Sequence, residues 1–146
     1  MNFKQHQERI KTYIENNLPV VLTSAGLDNF DAYIDDFIDL DKYTKSKQLF
    51  YNFNYYNFDN LSNESNTEDF EFSVLLVFRK GNQASLKDNM LNYASAFYKM
   101  FEDSGKNLEG IADYGIIQTV NFYPFAEGYD QVKIAELTVH LYTERD

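Results

Sequence analysis

Apolar residues at the start of the chain, Phe3, Ile10, Tyr13, Ile14 and Leu18, recur at helical spacing, with Lys4, Glu8, Arg9, Lys11 and Glu15 at other positions. The spacing predicts an amphipathic helix that Pro19 stops, since proline lacks the N–H that the next helical bond needs. Val20 to Leu22 then reads as a short extended piece before the Ser24-Ala25-Gly26 turn. From Asp28 to Asp41, Phe30, Ile34, Phe37 and Ile38 keep helical register among Asp31, Asp35 and Asp36, behind a capping Asp28, which predicts a second helix. Aspartate is a poor helix former, and Phe37, Asp39 and Asp41 fit one face of a strand equally well.

The pattern then shortens to period two. Gln48 to Phe58 alternates Tyr, Phe and Asn, and Asp69 to Arg79 places Phe70, Phe72, Val74, Leu76 and Phe78 on one face, so both segments are predicted strands. Between them Asp59 to Glu68 is rich in Asn, Ser and acids, a flexible hairpin tip. Val74 to Phe78 is apolar on both faces, as expected of a central strand covered from both sides. Gly81 breaks the strand, and Ser85-Leu86-Lys87-Asp88 resembles a capping box ahead of a helix with the stripe Leu86, Met90, Ala94, Phe97 and Phe101, ending near Gly105. Tyr114 to Tyr123 and Gln131 to Thr143 form a second hairpin around Gly128. In the last strand the apolar phase moves from Val132 and Ile134 to Leu137, Val139 and Leu141, which predicts a bulge near Ala135 or Glu136.

The pattern therefore predicts a single α+β domain spanning residues 1–146, an antiparallel sheet of two hairpins with helices packed on one face, in the order α, ββ, α, ββ. With 44% hydrophobic residues, 12 Tyr and 13 Phe, the chain has enough apolar surface to bury a core. The net charge of −10 argues against nucleic-acid binding, which needs clustered Lys and Arg. The lack of cysteine removes thiolate chemistry and disulfides. No run approaches the roughly 18 apolar residues of a membrane helix, so the expected location is the cell interior.

Candidate chemistry is sparse. His6 and His140 are the only histidines, one near the terminus and one on a strand, so a metal centre would need long-range convergence with acids. The aspartates at 28, 31, 35, 36, 39 and 41 lack the glycine and closing glutamate of a calcium loop and read as a solvated acidic face. Among 23 acids some pair must lie close, so proximity alone does not mark a glycosidase-type couple. There is no phosphate-binding glycine loop and no nucleophile elbow. Neither a catalytic site nor a cofactor is expected. The aromatic run Phe50, Tyr51, Phe53, Tyr55, Tyr56 and Phe58 is the most unusual stretch. Aromatics on both faces mark a strand that is sandwiched or forms an interface.

This succession resembles the tail-terminator proteins of tailed bacteriophages: a first helix through Leu18, an aromatic strand at Leu49 to Phe58, a polar hairpin loop at 59–68, the strand Phe70 to Phe78, the helix Leu86 to Phe101 and a closing hairpin ending in Ala135 to Tyr142. The acidic 28–41 stretch has no counterpart in that pattern. The resemblance implies a virion protein that closes into a ring of copies, as a hexamer, between the tail tube protein and the head connector, with genome DNA passing through a lumen biased toward carboxylates. Ring contacts would then come from the sheet and hairpin loops, and the candidate interaction residues are Asp35 and Asp36 of the acidic stretch, Tyr51 and Tyr55, Asp59, Glu64 and Glu68 of the hairpin tip, and Phe125 and Tyr129 of the last turn. The rival reading is an acidic inhibitor or immunity-type protein that occupies the basic groove of a partner, mimicking nucleic acid.

Overall fold

The computed structural model describes residues 1–60, 66–124 and 131–145. The elements are α1 (Phe3–Ser24), β1 (Ala32–Ile34), β2 (Lys47–Asn60), β3 (Asn66–Phe78), α2 (Gln83–Asp103), β4 (Tyr114–Tyr123) and β5 (Lys133–Arg145). The strands form one sheet in the order β1-β2-β3-β5-β4. Both expected hairpins are present and β3 joins them through β5, all antiparallel. The sheet is nevertheless mixed, because β1 adds to β2 in parallel, pairing Ala32 to Ile34 with Gln48 to Phe50.

Two predicted boundaries fail. α1 runs through Pro19 to Ser24, and residues 20–22 are helical rather than extended. An interior proline costs about 3 kcal/mol, but Leu18 and Leu22 on either side are fully buried, and each such side chain returns roughly 2 kcal/mol. Packing therefore outweighs the lost bond. The second failure is the helix expected over 28–41. The aspartates there satisfy their own backbone: Asp36 accepts from Phe37 N, and Asp39 accepts from the amides of Asp41 and Lys42. Such local bonds offer the chain turns instead of helix. The segment forms the short β1 and then a strap across the sheet.

Both helices lie on one face, where Ile10, Ile14, Leu18 and Leu22 of α1 and Leu86, Met90, Phe97 and Phe101 of α2 meet Leu49, Phe72, Val74, Leu76, Leu137 and Val139. The cap of α2 is Asn82, which accepts from Ser85 N at 2.9 Å, three residues before the predicted Ser85 cap. Tyr93 reaches from α2 to donate to the Asp28 carbonyl at 2.7 Å. Burial, then the carboxylates of Asp28 and Asp31, push its hydroxyl up to about 12, so it keeps its proton.

The other face has its own smaller core, Ile34, Leu40, Phe50, Val77, Val132 and Ile134, under the strap. This explains the phase change in β5 without the predicted bulge. The β3–β5 register is unbroken through Ala135 and Glu136, and Ile134 and Ala135 are buried on opposite sides. The register shifts lie instead in β2 between Phe53 and Tyr55 and in β4 between Ile117 and Thr119. The first returns Tyr56 to the helix side, where it stacks on Phe70 with centroids 4.4 Å apart.

Candidate interaction surface

The acidic segment is tied to its own chain by side-chain bonds while its carboxylates stay open to solvent. Asp35 takes Lys11 Nζ at 2.7 Å, Asp36 takes Lys42 Nζ at 3.2 Å and the Tyr43 hydroxyl, and Asp31 accepts from Lys47 N and Ser46 Oγ at 3.0 and 3.1 Å. The strap is fastened to the sheet by Arg79 Nη1, which donates to the carbonyls of Leu40 and Tyr43 at 2.7 and 3.2 Å. Beside it runs a groove of about 760 Å³ between Phe37, Ile38 and Leu40 and the sheet residues Leu75, Ile134 and Tyr123. Its Glu136 accepts from the Tyr123 hydroxyl at 3.1 Å. With Asp36, Asp39 and Glu136 already engaged, the groove suits an apolar side chain better than proton transfer.

Next to the strap the same face is polar and aromatic. Asn54 Nδ2 donates to Glu71 at 2.9 Å and lies 3.2 Å from Ser73 Oγ, which in turn lies 3.0 Å from Thr138 Oγ1. His140 Nε2 sits between the Tyr55 hydroxyl, 3.2 Å away, and the Asp69 carboxylate. The imidazole is covered by Tyr55 edge-on and by Tyr142 stacked at 4.7 Å, leaving it 8% exposed. Desolvation, then the Asp69 carboxylate, raises the hydroxyls of Tyr55 and Tyr142 above the ordinary tyrosine value. They therefore stay protonated. His6 lies on the opposite side of the sheet, 2.7 Å through Nδ1 from the Tyr56 hydroxyl and packed against Phe70, so it is not the solvated residue its position suggests.

Of the residues expected to make contacts, Asp35 and Asp36 remain partly open and Tyr55 is 39% exposed. Glu68 is half-buried on β3. Tyr51 is a correction: it faces the helices and is 3% exposed, because odd positions of β2 before the register shift point into the main core. The side chain of Asp59 and residues Glu64, Phe125 and Tyr129 lie outside the described residues. The buried Tyr51 hydroxyl has no hydrogen-bond partner among the described residues. Tyr51→Phe should therefore leave stability unchanged or raise it by up to about 1 kcal/mol, whereas Tyr93→Phe should lower it by about 1 kcal/mol. Urea denaturation of the two variants checks the contrast, and a clear loss from Tyr51→Phe would show the hydroxyl to be paired.

The surface that sequence reasoning missed is the outer edge of β4. Tyr114, Ile116, Val120, Phe122 and Tyr123 are between 36% and 53% exposed. The strand Tyr-Gly-Ile-Ile-Gln-Thr-Val-Asn-Phe-Tyr contains no charged residue and no proline. Edge strands of monomeric proteins are ordinarily blunted by lysine, proline or shortness, because their unpaired backbone groups recruit other strands. The missing charge is visible in the sequence, but the edge position is not. The chain matches no protein-family model and no curated protein.

Proposed function

We propose that this protein is a structural subunit that works by assembling with copies of itself into a ring, in the manner of the phage tail terminators it resembles, capping a tail tube and joining it to the head. The observation that carries the reading is β4, ten residues long and uncharged, with five large apolar or aromatic side chains between 36% and 53% exposed. An edge of that kind is a template on which another strand pairs. Part of the charge of the strap is taken up within the chain, where Asp31, Asp35, Asp36 and Asp39 accept from lysines, hydroxyls and amides of their own chain while staying open to solvent. The remaining negative charge suits a conduit that DNA traverses without adhering, since fixed carboxylates repel phosphates.

Mass photometry and negative-stain electron microscopy of the protein, alone and with tail tubes, test this. Closed rings of six copies, free or seated on tube ends, are the expected result. A protein that stays single in both samples and binds a basic partner with salt-sensitive affinity would replace this reading with the inhibitor one.

A further inference from the structure

Resting on the ring reading, the geometry points to a specific joint: β4 of one copy pairs antiparallel with the free half of β2 in the next, stepped by four residues, so that the sheets run on head to tail. Among the described residues β1 covers β2 only from Gln48 to Phe50, so the ten residues Tyr51 to Asn60 have no strand paired on that side, with strap residues 35–38 across a pocket from Tyr51 to Phe53. That run carries no charge before Asp59 and, like β4, no proline. The molecule thus has two unblunted edges of equal length at opposite ends of one sheet.

The strand directions fit one to the other. β2, β3, β5 and β4 alternate in direction, so the two outer strands run oppositely. A copy displaced along the sheet without being turned over brings β4 against β2 antiparallel and keeps helices beside helices. A two-fold pairing of β4 with β4 would leave the β2 edge uncovered, whereas head-to-tail pairing satisfies both edges with one interface.

The register follows from the ladder. Across the sheet Tyr123 stands level with Ile134, Val77 and Gln48. Level pairing would therefore drive β4 of the next copy into β1. Side-chain faces match only for even steps. A step of two still meets β1 at Phe50, and a step of four brings Tyr123 to Asn52 and clears it. At that step Val120 falls opposite Tyr56, Phe122 opposite Phe53 and Ile117 opposite Phe58, aromatics paired with β-branched or aromatic partners. A constant offset between neighbours is also what closing a sheet into a ring demands.

On the opposite face the same step sets exposed Thr119 opposite exposed Asn57. The chain has no cysteine, so paired thiols report on this joint alone. The variant carrying Thr119→Cys and Asn57→Cys, assembled and treated with a short bis-maleimide, should give a denaturing-gel ladder at multiples of 17.2 kDa up to the ring. Each single variant should stay at one chain, and an equal mixture of the two should stop at dimers. Dimers from Thr119→Cys alone would overturn the proposal in favour of β4–β4 pairing. Rings seen by mass photometry without a ladder would overturn the joint while leaving the ring reading intact. A double variant that neither assembles nor cross-links, beside a wild type that also stays monomeric on tail tubes, would remove both.

Discussion

Replacing Gly115 by alanine is expected to destabilise the protein by about 3 kcal/mol, the upper end of what overpacking costs. A Cβ there would stand 2.6 Å from Leu141 Cδ2, 2.7 Å from the Lys106 carbonyl oxygen and 2.9 Å from the His140 carbonyl oxygen. Two of the three are backbone. His140 is fixed in the β5 ladder, and Lys106 belongs to a loop that holds Lys106, Leu108 and Glu109 at positive φ, a cost paid by burying Leu108 and Ala112. Ser104 ties the loop further, donating from Oγ to the Phe101 carbonyl at 2.6 Å and accepting from Leu108 N at 3.2 Å. Neither neighbour can give way cheaply, so β4 must lift from β5. Thermal denaturation should show a midpoint lower by roughly 10 °C for a domain of this size. A loss under 1 kcal/mol would mean that the loop yields freely. Because Gly115 lies in edge strand β4, the proposed assembly should weaken along with stability.

How far the sequence reveals this molecule depends on whether a feature is local. The stripe of α2 and the alternation of β3 are local, and both elements form close to where their patterns place them. The β2–β3 and β4–β5 hairpins are legible for the same reason, each strand carrying period-two alternation on both sides of turn residues. Pro19 misleads because its cost is local while the burial of Leu18 and Leu22 that outweighs it comes from the sheet. The segment 28–41 misleads because its apolar spacing imitates a helix, although Ile34 and Leu40 serve a second core and Phe37 is 87% exposed. Both register shifts escape notice, since Asn54 and Gln118 are unremarkable where they stand.

The candidate surface is harder to read than the fold. Val120 and Phe122 occupy the helix-side phase of β4, level with buried Leu137 and Ala135, and a sequence reader assigns them to the core. They are exposed because the strand order places β4 outermost, a long-range decision with no local signature. In the two-sided aromatic run of β2, Tyr51 belongs to the buried face and Tyr55 to the open one, a division that the sequence leaves undecided.

Substituting Arg79 by methionine should cost about 1–3 kcal/mol and release the strap. Methionine keeps much of the aliphatic stem but cannot donate, so the carbonyls of Leu40 and Tyr43 lose the Nη1 bonds at 2.7 and 3.2 Å; the Tyr43 carbonyl keeps the Gln48 side-chain amide at 3.2 Å, so the main cost is the part-buried Leu40 carbonyl, about 1–3 kcal/mol. The comparison that isolates this effect is Asp35→Asn, which removes the carboxylate facing Lys11 from a pair whose Asp35 side chain is 45% exposed and should change stability by less than about 1 kcal/mol. Once Arg79 no longer holds the strap, the amides of residues 36–43 should exchange with solvent far faster than in the wild type, while those of α2 and β3 keep their protection relative to global stability. Phe50, Val77 and Ile134 would then open to solvent on the second face, and a hydrophobic dye should bind where the wild type binds little. Unchanged exchange across 36–43 would mean that Leu40 and Tyr43, packed on the second core, hold the strap without the guanidinium.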